Sequence, residues 1–339
     1  MTYKKKYIMV TGGLGYIGSN LVVQLGRKGY DVIIVDNLSN SKPSIVNKIQ
    51  EHCVNEVIVK NCDINNQIGL EEIFSENNIV GVFHLAGLKS VTESFALPIE
   101  YINTNVHASQ TLLETMARFE VNKLIFSSSA TVYGDTNIVP ITENHPTAPK
   151  SVYGQTKLLA EKILTSQAKH IGVTVACLRY FNPGGADASL TFGDDPLNAP
   201  TNLIPIFSNK IIDRTNKLEI FGSNYDTLDG TPVRDFVHIT DLVNAHVKVF
   251  EFIKENSQSC TFNVGTGTGV SVLDIANEYR KITNEELNVK FMPKRLGDIA
   301  ISVTCIDKIK SETGWVPEYG IKEIISSDLE FRRKESKSF

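Results

Sequence analysis

The sequence predicts an α/β protein with a doubly wound parallel sheet and a smaller C-terminal lobe. Short apolar runs alternate with segments of helical periodicity, as expected for strands buried between two layers of helices. The first of these runs leads directly into a glycine-rich turn, and the second ends on an acidic residue. After residue 179 the chain loosens into loops rich in Pro, Gly and Asn before it alternates again, which predicts the separate lobe.

The expected elements follow in order along the chain. Candidate strands cover residues 7–10, 31–35, 56–59, 79–85 and 123–127, with helical segments between them; the first helix is expected over residues 19–28, where Gly29 ends it. In the second half, residues 218–221 and 261–264 alternate again. The last residues, 331–339, are rich in charge and are expected to fray.

The glycine-rich turn after the first strand predicts a dinucleotide site. Gly13, Gly15 and Gly18 fit the spacing G-x-G-x-x-G, and Gly12 with the last two fits G-x-x-G-x-x-G. Glycine is needed there because a pyrophosphate must approach the backbone and the N-terminus of the following helix closely. Asp36 ends the second strand, and a carboxylate there suits an adenosine ribose diol and would repel a 2′-phosphate. We interpret the turn as a Rossmann site for NAD rather than NADP, and not as an ordinary turn with a capping aspartate.

Tyr153 and Lys157 are candidates for acid–base chemistry. On a helix, residues four apart lie on the same face. A nearby ammonium favours a phenolate, so Lys157 is expected to lower the pKa of Tyr153 toward the working range. Taken alone, such a pair is more often a solvated pair on a helix surface. Ser129, at the end of the fifth strand, could donate to a substrate oxygen, and the three residues together predict proton abstraction from an alcohol.

Composition and charge exclude several classes of function. The 339 residues include 34 basic and 38 acidic side chains, a net charge of -4, which gives no reason to expect nucleic acid or an anionic membrane as a partner. The 5 cysteines include no C-x-x-C pair and the 7 histidines no H-x-x-H or H-x-x-x-H pair, so reduced thiols and no metal are expected. No apolar run approaches ~18 residues. We therefore expect a cytoplasmic protein.

Later motifs add a resemblance to a known family. They are residues 86–89 (AGLK), 127–134 (SSSATVYG), 179–183 (RYFNP), 202–205 (NLIP), 220–222 (IFG), 229–231 (DGT), 233–235 (VRD), Arg295 and 297–298 (GD). With the glycine turn and the Ser, Tyr and Lys set, the chain resembles the extended short-chain dehydrogenase/reductases and, within them, the UDP-glucose 4-epimerase (UDP-galactose 4-epimerase) family. The resemblance covers nearly the whole chain.

The resemblance implies which residues form the site. It implies catalysis by Tyr153, Lys157 and Ser129. It implies NAD as cofactor, held by Gly12, Gly15, Tyr16, Ile17, Gly18, Asp36, Asn37, Asn40, Ser41, Asp63, Ile64, Leu85, Ala86, Gly87, Lys89, Tyr153, Lys157, Tyr180 and Phe181. It implies a UDP-hexose substrate, held by Ser129, Asn182, Asn202, Leu203, Phe221, Arg234, Arg295, Asp298 and Ser302.

The resemblance also implies the reaction and the assembly. The reaction would be NAD-dependent interconversion of UDP-glucose and UDP-galactose, by C4 oxidation to a 4-keto sugar and hydride return to the opposite face. Residues 1–179 would form the NAD-binding domain and 180–339 the UDP-sugar lobe, with some chain crossing back. The family implies a homodimer through helices at 108–118 and 153–168.

Two alternatives stay open. One is another NAD-dependent enzyme that modifies nucleotide sugars. The 4,6-dehydratases of this scaffold need an Asp-Glu pair after the strand-five hydroxyl and the decarboxylases a Glu, whereas this chain has Ala130 and Thr131. The other alternative is a non-catalytic NAD-binding sensor, against which the intact Ser129, Tyr153 and Lys157 argue.

Three places depart from the usual family pattern. Residues 104–106 read Thr-Asn-Val instead of Asn-Asn-Val, and residues 304–305 read Thr-Cys instead of Ala-Asp. The fourth residue after Asp298 is Ser302, where family members with a bulky tyrosine exclude N-acetylated sugars. The small serine implies that UDP-GlcNAc and UDP-GalNAc are also interconverted.

Overall fold

The structure is a computed structural model that describes residues 5–136, 138–295 and 297–337. Its first half alternates strand and helix. The elements are β1 (Tyr7–Thr11), α1 (Tyr16–Arg27), β2 (Asp31–Asp36), α2 (Ile45–His52), β3 (Val57–Asn61), α3 (Gln67–Glu76), β4 (Ile79–His84), α4 (Val91–Ala96), α5 (Pro98–Ile102), a π-helical turn (Asn103–His107), α6 (Ala108–Arg118), β5 (Lys123–Ser129), a 3₁₀ turn (Ala130–Val132), α7 (Val152–Ile171) and β6 (Thr174–Tyr180). The five strands predicted there are all strands, with ends shifted by one or two residues.

The second half of the chain contains shorter strands. The elements are β7 (Asn182–Gly184), α8 (Leu203–Ile212), β8 (Lys217–Phe221), β9 (Val233–His238), α9 (Ile239–Asn256), β10 (Cys260–Val264), β11 (Gly269–Ser271), α10 (Val272–Thr283), β12 (Asn288–Met292), β13 (Ile301–Ser302), α11 (Asp307–Thr313) and α12 (Ile321–Ser336). Strands β7, β9, β11 and β13 pair into one small sheet, and β8 pairs with β12.

The main sheet confirms the predicted fold class. Within the described residues it has the strand order β10-β6-β5-β4-β1-β2-β3, and every neighbouring pair is parallel. The direction of winding reverses between β1 and β4, and ligands of such sheets bind at the carboxyl ends of the strands beside this point. Strand β10 and helix α9 return from the second half of the chain to this sheet.

Helices cover both faces of the main sheet. In β1, Ile8 and Val10 pack in the core on the side of α1 and α9, while Met9 packs in the core on the side of α3, α6 and α7. Successive strand residues point to opposite faces. Because both faces are buried, the strand is a continuous apolar run rather than an alternating pattern.

The C-terminal segment is ordered helix rather than a frayed tail. Helix α12 continues to Ser336, and Phe331 and Arg332 are buried. Arg332 Nε donates to Asp328 Oδ2 over 2.8 Å, one helical turn away, and Arg332 Nη2 donates to the backbone oxygen of Asp194 over 2.8 Å. The expectation of fraying from residue 331 is therefore wrong as far as residue 336, because these contacts tie the helix to the rest of the protein; residues 338–339 lie outside the described range.

Candidate active site

A cavity of about 590 Å³ opens at the carboxyl ends of the main sheet. That volume is within the usual range of ligand sites, roughly 300–1,000 Å³. Every residue expected to bind NAD lines it, and so do the three expected catalytic residues, Asn182 and Asn202. The remaining expected substrate residues do not line this cavity: Leu203, Phe221, Arg234, Arg295, Asp298 and Ser302.

The glycine turn brings bare backbone to the floor of the cavity. Gly12 has φ +66, and a Cβ on Gly18 would lie 2.1 Å from the backbone oxygen of Gly12, so neither position suits a side chain. Gly15 is the N-cap of α1 and supplies no side-chain cap. The first N–H groups of α1 therefore remain available to an anion.

Asp36 is held at the end of β2 beside this turn. Its side chain is 8% exposed, and it accepts hydrogen bonds from Leu14 N at 3.1 Å and Leu38 N at 2.9 Å. Burial raises the pKa of Asp36, while these two hydrogen bonds lower it. The carboxylate is thus fixed in orientation at the cavity wall, where a diol could bind it.

A buried histidine supports the loop after β4, and no sequence motif had singled it out. His84 Nδ1 lies 2.8 Å from Thr11 Oγ1, and His84 Nε2 lies 2.9 Å from Ser109 Oγ. Ser109 Oγ donates its hydrogen to Asn105 O, so in its contact with His84 it must be the acceptor. The proton of the His84 ring is therefore on Nε2. Burial, and then the charge of Lys157, lower the pKa of His84 to about 3, so the ring is neutral.

Asn105 holds the same loop from the other side. Its Oδ1 accepts from Leu88 N at 2.8 Å, and its Nδ2 donates to Leu88 O at 3.0 Å and to Thr156 Oγ1 at 3.1 Å. Its neighbour Thr104, at the position that departs from the family pattern, lines the cavity. The role of Asn105 depends on contacts between distant parts of the chain, so residue spacing could not reveal it.

Helix α7 carries the acid–base pair. Ser151 caps its N-terminus by accepting from Gly154 N at 3.1 Å, which begins the helix at Val152. Tyr153 and Lys157 follow one turn apart, and both face the cavity as predicted. Lys157 Nζ donates to Ser127 O over 2.8 Å, so the ammonium is anchored to the end of β5.

Burial dominates the electrostatics of this pair. Burial raises the pKa of Tyr153 to about 12, against a hydrogen bond with Ser129 that lowers it. Burial also lowers the pKa of Lys157 to about 8, against the charge of Glu161. The expectation that Lys157 brings the pKa of Tyr153 toward neutrality is therefore wrong for the protein's own groups. Tyr153 needs a further positive charge beside it to act as a base near neutral pH.

A buried ion pair lies behind the catalytic residues, and sequence reasoning assigned it no role. Arg179 Nε and Nη2 donate to the two carboxylate oxygens of Glu161 at 2.9 and 2.7 Å. Ser128 Oγ donates to the same carboxylate, and Arg179 Nη1 donates to Tyr133 Oη at 2.9 Å. The pair joins α7, β5 and β6 directly next to Ser129 and Lys157, so it positions them.

A second cluster forms in the C-terminal lobe, and it brings together four of the expected substrate residues. The guanidinium of Arg295 lies 3.8 Å from the centre of the Phe221 ring. Arg234 Nη2 lies 3.3 Å from Asp298 Oδ1, and Arg234 Nη1 donates to Val233 O at 2.9 Å. Paired guanidinium groups suit a diphosphate because each offers fixed parallel donors.

Three further expected substrate residues lie on elements beside these groups. Asn202 is the N-cap of α8, donates from Nδ2 to Asp194 Oδ2 at 2.6 Å, and is followed by Leu203 as the first residue of the helix. Ser302 lies in β13, where its Cα pairs with that of Arg234, and it is buried. Residues 304–305 depart from the usual family pattern, and there Thr304 N donates to Asp235 Oδ2 at 3.2 Å.

The wall next to Ser129 carries no acid at the two positions that follow it. Thr131 donates from Oγ1 to Ser129 Oγ over 2.9 Å, and Ala130 precedes it in the 3₁₀ turn. Within the described ranges, no group of three or more His, Cys, Asp or Glu side chains is arranged to hold a metal ion. In the same ranges, no helix is long and apolar enough to cross a membrane.

Comparison with known proteins agrees with this geometry. Residues 8–265 match the model of the NAD dependent epimerase/dehydratase family. The chain is 40% identical over 318 residues to UDP-glucose 4-epimerase of Bacillus subtilis, covering 94% of each protein.

Two solved structures are also similar over nearly the full chain. One is UDP-glucose-4-epimerase from Stenotrophomonas maltophila with bound NAD and formylated UDP-arabinopyranose, with a TM-score of 0.94, 36% identity, and coverage of 99% of this chain and 100% of that one. The other is UDP-glucose 4-epimerase from Bifidobacterium longum in complex with NAD+ and UDP, with a TM-score of 0.93, 39% identity, and coverage of 98% and 100%.

The parallel sheet, its glycine turn and the Tyr153–Lys157 pair define a nucleotide-dependent enzyme of the short-chain dehydrogenase/reductase class. The chain belongs to the NAD dependent epimerase/dehydratase family, among the relatives known as UDP-glucose 4-epimerases. The resemblance proposed from the motifs and the expectation of NAD as cofactor are confirmed.

Proposed function

We propose that this protein interconverts UDP-glucose and UDP-galactose with NAD as a bound cofactor. The observation that carries the proposal is that Ser129, Tyr153 and Lys157 line the same cavity as the glycine turn and Asp36. A hydroxyl donor, a phenol and an ammonium thus line the same cavity as the glycine turn, as oxidation of an alcohol by a bound dinucleotide requires.

The cavity residues fit NAD. The bare backbone of the glycine turn and the N-terminus of α1 suit the pyrophosphate, and the oriented carboxylate of Asp36 suits the adenosine ribose. Lys157 and Tyr153 lie where they could contact the nicotinamide ribose. When bound, NAD would supply the acceptor and donor of the hydride exchanged with C4 of the sugar, and its positive nicotinamide ring would favour the phenolate form of Tyr153.

The protein's own residues move and hold the proton. Tyr153 takes the proton of the sugar 4-hydroxyl. It returns the proton to the 4-oxygen after the 4-keto sugar has rotated to present its other face. Ser129 donates to the 4-oxygen as negative charge develops on it. Lys157 stabilises the phenolate by its positive charge. Its hydrogen bond to Ser127 O also ties α7 to the end of β5.

The uridine diphosphate is the anchored part of the substrate, so that the sugar can rotate. Arg234 and Arg295 are proposed to bind the diphosphate, with Phe221, Asp298 and the first turn of α8 beside them. Asn182 lines the main cavity, as Tyr153 does. We propose that residues 1–179 form the NAD-binding domain and residues 180–339 the UDP-sugar lobe, from which α9 and β10 return to the first domain. We also propose a cytoplasmic location.

The proposal is tested by incubating purified protein, without added NAD, with UDP-galactose and resolving the products by chromatography or NMR. UDP-glucose is the expected product, and its formation without added cofactor would also show that NAD stays bound. A protein that gives no UDP-glucose even with NAD supplied would leave the other nucleotide-sugar enzymes and the NAD-binding sensor as candidates.

We also propose that the enzyme accepts N-acetylated sugars. Ser302 is small and buried on β13, paired with the strand that carries Arg234. Ser302→Tyr is expected to lower turnover of UDP-GalNAc at least about tenfold by filling the space of the acetyl group, with much less effect on UDP-galactose. Ser302→Ala is the matched control and should leave both activities unchanged. An equal loss on both substrates after Ser302→Tyr would contradict the proposal.

We further propose a homodimer. Apolar side chains are exposed on adjacent helices, namely Ile99 and Ile102 at α5 and Leu159 on α7. Helix α7 is one of the two helices expected at the interface. Ile99→Glu with Leu159→Glu is expected to convert the dimer to a monomer, because charges would be buried in the contact. Val54→Glu, which changes an exposed apolar residue after α2, should leave the dimer intact.

Analytical ultracentrifugation of the three proteins measures this directly. A dimer that survives both glutamate substitutions would place the interface elsewhere, and a monomeric unaltered protein would remove the proposal.

A further inference from the structure

The hydroxyl of Tyr225 is a buried donor without a partner among the described residues. Its oxygen is shielded from solvent, and it makes no hydrogen bond to any residue that the structure describes. Buried polar groups are nearly always paired, and leaving one unpaired destabilises the fold. An unpaired hydroxyl in a well-packed protein therefore calls for a ligand that completes it.

The position of this hydroxyl is fixed by the packing of its ring. Tyr225 lies in the loop between β8 and β9, and its backbone N donates to Gly230 O at 2.9 Å. A Cβ on Gly222 would lie 2.3 Å from the ring, so the ring packs directly on that glycine's backbone. Lys294 Nζ covers the ring at 4.1 Å from its centre and donates to Asn224 O at 3.1 Å. The ring cannot swing away without disturbing these contacts.

The groups around the hydroxyl are those of the proposed diphosphate site. Burial is the largest cause that raises the pKa of Tyr225; the charge of Asp298 raises it further, and the charges of Arg234 and Arg295 lower it. The geometry agrees, because the Tyr225 ring packs on Gly222, directly after Phe221, whose ring centre lies 3.8 Å from the Arg295 guanidinium. Three cations, these arginines and Lys294, face one carboxylate, so the cluster carries excess positive charge.

The other buried atoms of this kind have different surroundings. His145 Nε2 belongs to a ring whose Nδ1 accepts from Thr142 N and which packs against Tyr133. Asn216 Oδ1 belongs to an amide that donates to Glu285. Of these three atoms, only the hydroxyl of Tyr225 belongs to a group whose pKa is lowered by the charges of two arginines.

We infer that Tyr225 is a further substrate-binding residue, whose hydroxyl donates to a phosphate oxygen of the nucleoside diphosphate held by Arg234 and Arg295. The inference rests on the proposed function, because it assigns one more ligand to the same substrate. A hydroxyl donor adds what the guanidinium groups lack, which is a hydrogen bond that adds no further charge to an already cationic site.

The test compares Tyr225→Phe with the unaltered protein in calorimetric titrations with UDP and with uridine. Phe keeps the ring on Gly222 and removes only the oxygen. UDP binding is expected to weaken about tenfold, since a hydrogen bond to a charged phosphate is lost, and uridine binding is expected to stay unchanged. In turnover of UDP-galactose, KM should rise with little change in kcat.

A stability measurement separates binding from a structural role. Without ligand, Tyr225→Phe should unfold at the same temperature as the unaltered protein or higher, because an unpaired buried group is removed. Tyr30→Phe is the matched control: its hydroxyl accepts from Lys254 Nζ at 3.1 Å, away from the cluster. It should leave UDP binding unchanged.

Each contrary result has a distinct meaning. Equal weakening of UDP and uridine, or a lower unfolding temperature of the ligand-free variant, would show that the hydroxyl supports the fold and would overturn the inference. Unchanged UDP binding by the variant would overturn it too, while the proposed function would stand. If the unaltered protein bound no UDP and converted no UDP-galactose, the proposed function itself would fail.

Discussion

Replacing Tyr153 with Phe is expected to lower kcat for UDP-galactose by about 10³, because the general base is removed from a site that is otherwise intact. Phe fills the same space, including the edge contact with the Tyr101 ring, whose centre lies 6.4 Å away. The affinity for UDP should therefore not change. Single-turnover assays with equilibrium binding of UDP separate these quantities.

The pH profile adds an independent check of the same residue. Burial raises the pKa of Tyr153 to about 12, so the phenol is neutral at pH 7 unless a bound cation lowers that value. We expect kcat to rise with pH as the phenolate forms, and then to fall above about pH 8, where Lys157 loses its charge because burial lowers the pKa of the ammonium to that value.

The matched control for Tyr153 is Tyr30→Phe, which removes a phenol hydroxyl outside the cavity. It should retain full kcat and the same pH profile. A Tyr153→Phe enzyme with kcat within tenfold of the unaltered protein would show that another group takes the proton.

Replacing Arg179 with Met is expected to lower the free energy of unfolding by about 3–5 kcal/mol, because Glu161 would be left as a buried charge without its partner. The two side chains are 9% and 6% exposed, so solvent cannot compensate. Denaturation in urea, followed by circular dichroism, measures the change.

The double variant Arg179→Met with Glu161→Met separates the ion pair from the packing. It should recover most of the loss, because both charges are removed and similar volume is kept. If the double variant were as unstable as the sum of the two single variants, the ion pair would not be the cause.

Local sequence patterns predicted several residues that the structure brings to one cavity. The glycine turn, Asp36 and the residues at the strand ends all line one cavity. These positions are predictable because the carboxyl ends of parallel strands always meet at the same edge of a sheet. Likewise, the spacing of Tyr153 and Lys157 sets their common face once α7 is helical.

Other features depended on contacts that no local pattern encodes. The spacing of four residues predicts that Lys157 and Tyr153 share a helix face. It does not predict that the ammonium of Lys157 donates to Ser127 O, 30 residues away. The tail beyond Phe331 has the composition of a fraying end, but Arg332 reaches Asp194 O, 138 residues distant, and holds the helix in place. Neither result follows from composition.

The sequence alone determined the parallel sheet, the nucleotide turn and the common helix face of Tyr153 and Lys157, since each depends on the geometry of a strand or a helix. The addition of Ser129 to this pair came from the resemblance to the family. Only the tertiary structure decided the burial that raises the pKa of Tyr153 and the Glu161–Arg179 pair behind it. It alone also revealed that the hydroxyl of Tyr225 has no hydrogen-bond partner among the described residues. The physical reason is that burial and pairing depend on how segments far apart in the chain pack together, and residue spacing within one segment carries no information about its distant neighbours.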